Sequence, residues 1–166
     1  MKKILLITIF IFLTTAICLF AAKKNNNTKY AGKYSFSYEN GASGDLVIYP
    51  ESGKSILFYL ELSNGAPGYH MGSLYGRIKL KGNSGIYDKK FEYYDDNQHC
   101  AFKITFEKDQ AVLETIDTQC YCGFGANVYV DGKYKRTSSK LPEYFESLEG
   151  DKYYFEKTDP DKFNAL

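Results

Sequence analysis

The sequence predicts an all-β protein built as an antiparallel up-and-down barrel of about eight strands. Short runs of alternating apolar and polar residues recur about every ten residues, separated by Gly, Asn, Asp and Ser, which is typical of antiparallel sheets. Tyrosine (16) and phenylalanine (12) are abundant, and aromatic residues favour strands. No helical pattern interrupts the runs. The barrel is expected to span residues 30–137, after a linker at 23–29.

Turn residues delimit eight predicted strands, in chain order. The strands are expected at 30–38, 44–51, 54–63, 72–81, 86–95, 99–107, 111–117 and 126–136. The turns between the first seven strands fall at 39–43, 51–53, 63–73, 82–85, 93–99 and 108–110. Closed barrels of this strand number include the lipocalin-like and avidin-like folds.

Alternation along each strand predicts which side chains face the barrel interior. These are mostly large: Phe36, Phe58, Leu60, Ile78, Phe102, Ile104 and Phe106, with Gly76 and Ala126 as the small ones. An eight-stranded barrel is just wide enough for its own side chains to fill it. The pattern therefore favours a filled interior over a ligand cavity.

A short C-terminal extension, residues 138–166, follows the predicted barrel. Residues 142–148 are expected to form one or two helical turns, because Pro142 suits the first helical position and Gly150 would end the helix. Residues 152–157 are expected to add a short strand or to cover the barrel mouth.

The N-terminus has the layout of an export signal. Two lysines precede an uncharged apolar run over residues 4–22, and small residues precede a polar break. Residues 1–22 are therefore predicted to be a signal peptide; they are also long enough to be a retained membrane anchor, and lipid attachment at Cys18 is a third alternative. All three place the remaining chain outside the cytoplasm, in the periplasm, at the cell surface or secreted.

The charge of the chain excludes one class of partner. The formal net charge is +1, and removal of the signal would leave −1, with both signs interspersed. Such a balance gives no basic surface for nucleic acid or anionic lipid. Contact with a membrane is expected only through an uncleaved N-terminal segment, and composition does not predict the oligomeric state.

Three cysteines remain after export: Cys100, Cys120 and Cys122. The Cys-x-Cys spacing is too tight for a zinc knuckle and lacks further ligands, and a redox Cys-x-x-Cys motif is absent. We therefore expect no metal site and one structural disulfide, in which inward-facing Cys100 pairs with Cys120 or Cys122. A bridge to Cys122 would stabilise the fold by roughly 3 kcal/mol.

The region around these cysteines resembles a known family. Cys-x-Phe-x-Ile-x-Phe, a spacer and then Cys-Gly-Phe-Gly-Ala-x-Val-x-x-Asp-Gly-x-Tyr are similar, over residues 72–136, to a small β domain of secreted bacterial proteins. That domain sometimes occurs beside modules similar to lysozyme inhibitors of the LprI type. The resemblance implies a Cys100–Cys122 bridge and structural roles for Gly132 and Tyr134, but no activity; the additional Cys120 departs from the pattern.

No catalytic motif is present in the sequence. The two histidines, His70 and His99, have no acid or nucleophile at motif spacing, and neither a Gly-x-Ser-x-Gly elbow nor a His-Glu-x-x-His helix occurs. The carboxylates of Asp95 and Asp96 fall in a turn, where they serve backbone hydrogen bonding. We therefore expect a protein that is not an enzyme and needs no cofactor.

The irregular connection at residues 63–73 is the candidate binding element. Three glycines and a proline hold an apolar and aromatic tip, Tyr69, His70 and Met71, between two strands. The expected function is that of an exported binding protein acting through its loops, with a lysozyme-type hydrolase as the expected partner. Some inhibitors carry Ser-Gly-x-x-Tyr, from which residues 84–87 depart by one position. The alternative is a lipocalin-like carrier of a small apolar ligand.

Overall fold

An eight-stranded antiparallel sheet, closed on itself, forms the body of the protein. The computed structural model describes residues 26–90, 99–116 and 121–163. The strands are β1 (Gly32–Ser37), β2 (Ser43–Pro50), β3 (Ser55–Ser63), β4 (Met71–Lys81), β5 (Ser84–Lys89), β6 (Cys100–Phe106), β7 (Gln110–Thr115) and β8 (Gly132–Ser138). Each strand pairs with the next, and β8 returns to pair with β1. The predicted all-β up-and-down barrel is confirmed.

Short elements flank the barrel at both ends of the described chain. A 3₁₀ helix, Asn26–Tyr30, precedes β1. After the barrel come β9 (Tyr144–Glu146), β10 (Lys152–Tyr154) and the single-turn helix α1 (Pro160–Phe163). Strands β9 and β10 form a separate antiparallel pair. No helix in the described ranges has the length and apolar character needed to cross a bilayer. The predicted signal, residues 1–22, lies outside these ranges.

The inner core is formed by the inward-facing side chains of all eight strands, as the alternation predicts. The ring of Phe58 packs against those of Tyr87 and Phe102, with ring centroids 5.2 and 5.7 Å away. The largest completely buried members are Leu46, Ile48, Ile56, Phe58, Leu60, Leu62, Ile78, Phe102, Ile104, Leu113 and Tyr134. The barrel is therefore filled by its own side chains.

A second core lies on the outside of the barrel wall. The outward side chains of β2, β3 and β4 include Val47, Tyr59 and Tyr75, and Tyr75 is 0% exposed. Phe145 of β9 covers them, since its ring stacks on Tyr59 at 4.2 Å and approaches Tyr75 at 4.7 Å. The hydroxyl of Tyr75 donates to the carbonyl of Thr158 at 2.9 Å. The C-terminal extension is thus packed against the barrel wall.

The last barrel strand begins later than the sequence predicts. It starts at Gly132, whereas alternation placed its start at residue 126. Asn127 has a positive φ of 60°, which breaks the extended conformation, and the side chain of Ala126 is exposed instead of facing inward. The prediction for residues 126–131 was therefore wrong. The part of the fifth predicted strand at 91–95 lies outside the described residues.

The helical turns expected at residues 142–148 are also wrong. Tyr144–Glu146 is a strand, and residue 145 pairs with Tyr153 of β10. An extended conformation points Phe145 into the outer core while its neighbours face outward, and this burial outweighs local helix signals. The expected short strand within 152–157 is present as β10, on the barrel wall.

Replacing Phe145 with alanine should remove the centre of the outer core. Because the ring is 2% exposed, we expect Phe145→Ala to lower the free energy of unfolding by about 3–5 kcal/mol. Urea unfolding followed by fluorescence measures the change. Leu148→Ala in the same hairpin, where the side chain is 40% exposed, is the control and should cost less than about 1 kcal/mol. Equal losses of unfolding free energy in the two variants would contradict the central role of Phe145 in the outer core.

Candidate functional site at the loop end of the barrel

The longer connections of the barrel meet at one end. In an up-and-down barrel every second connection lies at the same end, so the connections β1–β2, β3–β4, β5–β6 and β7–β8 share it. We call this the loop end; its described parts are residues 38–42, 64–70, 90, 99, 116 and 121–131. The connections at the opposite end are turns of two to four residues, such as Gly82 and Asn83 between β4 and β5.

A disulfide ties the longest of these connections to the barrel. Cys100, the first residue of β6, bonds to Cys122, and the two Cα atoms are 4.5 Å apart. Cys100 is completely buried and Cys122 is partly buried against the inner core. The Cys100–Cys122 pairing is thereby confirmed, while Cys120 lies outside the described residues.

The segment 121–131 closes the barrel at this end. Its side chains Val128 and Val130 are buried in the inner core, and Phe124 packs against that core from the edge. Gly72 of β4 leaves the space for Phe124, since a Cβ at position 72 would lie 2.4 Å from the ring. The carboxylate of Asp131 accepts hydrogen bonds from the backbone and hydroxyl of Thr115, at 2.9 and 2.6 Å. These contacts fix the segment along its length.

Hydrogen bonds tie the predicted binding loop to the β1–β2 connection and to the segment 121–131. The side-chain amide of Asn64 donates to the carbonyl of Ala126 at 3.0 Å, and its oxygen accepts from the His70 backbone at 2.9 Å. The backbone of Ala66 donates to the carbonyl of Asn40 at 2.9 Å. Gly65 must be glycine, because it has a φ of 68° and a Cβ there would meet the Asn40 carbonyl at 2.4 Å. Hydrogen bonds therefore hold the loop in one shape.

The structure places all three predicted binding residues on the surface of this end. Tyr69 is 70% exposed and Met71 is 46% exposed. His70 is also exposed. Their role in binding stays a prediction.

Three further tyrosines are exposed at the loop end and were not among the predicted binding residues. Tyr38 follows β1, and Tyr121 and Tyr129 lie in the segment 121–131. Tyr129 stands between buried Val128 and Val130, and this alternation is the signal that could have indicated an outward ring. Tyr38 was predicted to share the inward face of β1, but the strand ends at Ser37.

The two histidines occupy different surroundings. His70 is exposed in the predicted binding loop, whereas Nδ1 of His99 lies 2.8 Å from a carboxylate oxygen of Asp88. The described residues include no group of three or more His, Cys, Asp and Glu side chains arranged to hold a metal ion.

Two opposed carboxylates form a separate polar surface on the barrel wall. Asp45 of β2 and Glu61 of β3 are directly paired and border a cavity of about 340 Å³ that β9 covers on one side. Burial raises the pKa of both groups; Lys33 partly offsets this for Asp45, and Asp45 adds to it for Glu61. Burial, and then the charge of Glu61, raise the pKa of Tyr59 to about 12.

Comparison with family models, with curated proteins and with solved structures gave no significant match to this chain. The resemblance to the small secreted β domain stays a prediction.

Removing the disulfide should destabilise the protein by an amount set by the length of the chain segment that the disulfide closes into a loop. With a sequence separation of 22 residues, Cys122→Ser is expected to lower the free energy of unfolding by about 3 kcal/mol, because the unfolded chain gains the freedom of an open loop. Urea unfolding of oxidised protein measures the loss. Cys120→Ser is the matched control and should leave stability unchanged. A loss in Cys120→Ser but not in Cys122→Ser would show that the pairing is different.

The raised pKa of Glu61 should appear in the pH dependence of stability. The folded protein holds this proton more tightly than the unfolded chain does, so the contribution of Glu61 to stability is greatest below the ordinary carboxyl pKa of about 4 and falls as pH rises through the higher folded value. Glu61→Gln should therefore raise the free energy of unfolding at neutral pH, by less than about 1 kcal/mol because the group is partly exposed.

Urea unfolding across a pH series checks this expectation. The exposed Glu114 on β7 supplies the control, because its side chain lies in solvent and Glu114→Gln should change the free energy of unfolding by less than about 0.5 kcal/mol. If Glu61→Gln shows the same decline with pH as the unmodified protein, Glu61 is not the source of it.

Proposed function

We propose that this chain is an exported, non-enzymatic binding protein that contacts a protein partner through the loop end of its barrel. The observation that carries the proposal is the group of exposed apolar and aromatic side chains there: Tyr38, Tyr69, Met71, Tyr121 and Tyr129. Tyrosine and methionine are enriched in protein interfaces, where a large ring gives contact area at a small entropic cost.

The rigidity of this end supports binding. The disulfide at Cys122 and the hydrogen bonds of Asn64 hold two of the connections against the barrel before any partner arrives. A preorganised surface binds more tightly because less conformational entropy is lost on association.

Export is supported by two features. Residues 1–22 have the layout of a signal, and a buried disulfide persists in oxidising compartments such as the periplasm or the exterior. A lysozyme-type hydrolase is the first partner class to test, since such enzymes act in the same compartments and the sequence resembles a domain found beside lysozyme-inhibitor-like modules.

The filled interior favours loop-end binding over the carrier alternative. Eight-stranded barrels that carry ligands hold them inside, whereas here Phe58, Phe102 and Tyr134 occupy the centre. We therefore do not propose the carrier.

The proposal predicts inhibition of a lysozyme and co-elution with it. The purified protein should lower the rate at which the lysozyme clears a cell-wall suspension, and Tyr69→Ala or Tyr129→Ala should weaken this by roughly tenfold or more, the loss typical of a tyrosine that is an interface hot spot. Tyr154→Ala, which alters an exposed tyrosine on the C-terminal hairpin, should retain full inhibition. Absence of both inhibition and co-elution across lysozyme types would remove the inhibitor proposal.

A further inference from the structure

The barrel wall has a gap between β4 and β5. These strands pair only at Lys79–Lys81 with Ser84–Ile86, although β4 begins at Met71 and β5 continues to Lys89. A cavity of about 490 Å³ lies beside the gap, and Pro160 and Asp161 of α1 form part of its wall. We call it the seam cavity. Its volume is in the range of small-molecule binding sites, about 300–1,000 Å³.

Tyr87 of β5 lines the seam cavity from the barrel side. Its ring belongs to the inner core, and Gly76 of β4 makes room for it, since a Cβ at position 76 would lie 2.6 Å from the ring. The residue is 4% exposed, and its buried hydroxyl has no hydrogen-bond partner among the described residues. A buried polar group without a partner destabilises a fold, so this hydroxyl has an unused capacity to bind.

The carboxylates around the seam cavity already have partners. Asp161 is 2.7 Å from the ammonium group of Lys89. Asp88 is 2.8 Å from His99. Glu51, the partner of the cavity residue Arg77, accepts from Nε of Arg77 at 2.8 and 3.0 Å. The acceptors on this surface are therefore largely occupied.

Some of the hydrogen-bond donors around the seam cavity have no acceptor among the described residues. Among the described residues, no hydrogen bond engages the two terminal nitrogens of Arg77, and Lys79 has no ion pair. Together with the Tyr87 hydroxyl, these groups form a set of donors that lacks acceptors. Arginine and lysine donors bind carboxylate oxygens through charge-assisted hydrogen bonds.

We propose that the seam cavity binds a small organic monocarboxylate. Lys79 is the one cation on its wall without a described counter-charge, which matches a single negative charge on the ligand. The carboxylate is placed against Lys79, the terminal nitrogens of Arg77 and the Tyr87 hydroxyl. The body of the ligand packs on Ile86 and Pro160, which are apolar parts of the same wall. This site is on the barrel wall and is independent of binding at the loop end.

Calorimetric titration of the disulfide-bonded protein with monocarboxylates of increasing size, from acetate to naphthoate, tests the proposal. Affinity should rise with apolar size until the cavity is filled, and the methyl ester of the best acid should bind at least roughly tenfold more weakly, because it lacks the charge. Lys79→Gln should weaken binding of the acid but not of the ester. Tyr87→Phe should weaken it roughly two- to tenfold, the effect of one hydrogen bond.

Two control variants distinguish the loss of a ligand-binding site from the loss of folded structure. Lys81→Gln alters an exposed lysine on the same strand that does not line the cavity, and it should leave affinity unchanged. Tyr87→Phe keeps the buried ring and should be at least as stable as the unmodified protein, so its loss of affinity cannot come from unfolding. Absence of binding across the series, equal affinity for acid and ester, or equal effects of Lys79→Gln and Lys81→Gln would overturn the proposal. Tighter binding of phenyl phosphate than of any carboxylate would overturn the assignment to carboxylates.

Discussion

The hydrogen-bonded closure of β8 onto β1 is the constraint on which the rest of the structure depends. It fixes the barrel at eight strands, a circumference that leaves room inside for side chains and little else. Several of the large rings then fit where a neighbouring strand carries a glycine and no side chain. Gly76 lies against Phe58 and Tyr87, and a Cβ on Gly44 would lie 2.9 Å from the ring of Tyr134. The closed sheet thus pairs some of the inner rings with glycines on neighbouring strands.

The inner pattern of the barrel could be predicted from the sequence because it depends on local alternation. Cys100, Phe102, Ile104 and Phe106 face inward as predicted, and all are buried. The outer core could not be predicted in this way, because the outward face of a strand becomes buried only if a distant segment covers it. One signal was present: apolar and aromatic residues run without interruption over 56–60, which is typical of a strand buried on both faces.

The errors in the predicted strands and loops have the same physical origin as the missed outer core, namely burial that depends on distant parts of the chain. Residues 126–131 alternate like a strand but cross the end of the barrel, because Cys122 is bonded to Cys100 and Val128 and Val130 fill the opening. Their alternation reflects burial on one side, which a loop lying over an apolar end also requires. The loop at residues 63–73 was selected by its composition, whereas the exposure of Tyr38 was missed because the strand boundary moved by one residue.

A filled and closed barrel leaves its ends and its outer wall as the surfaces open to a partner or a ligand. At the loop end the disulfide and the hydrogen bonds of Asn64 restrain the backbone while the tyrosine rings face solvent. On the wall, burial of the Tyr87 hydroxyl without a hydrogen-bond partner among the described residues carries a free-energy cost. Packing alone does not explain this residue, because a phenylalanine would make the same contacts with Phe58 and Phe102 without burying a hydroxyl. The other buried inner tyrosines, Tyr30, Tyr34 and Tyr134, donate to backbone carbonyls at 3.4, 2.8 and 3.0 Å. The hydroxyl at the seam therefore differs from its counterparts in the one respect that a ligand would correct.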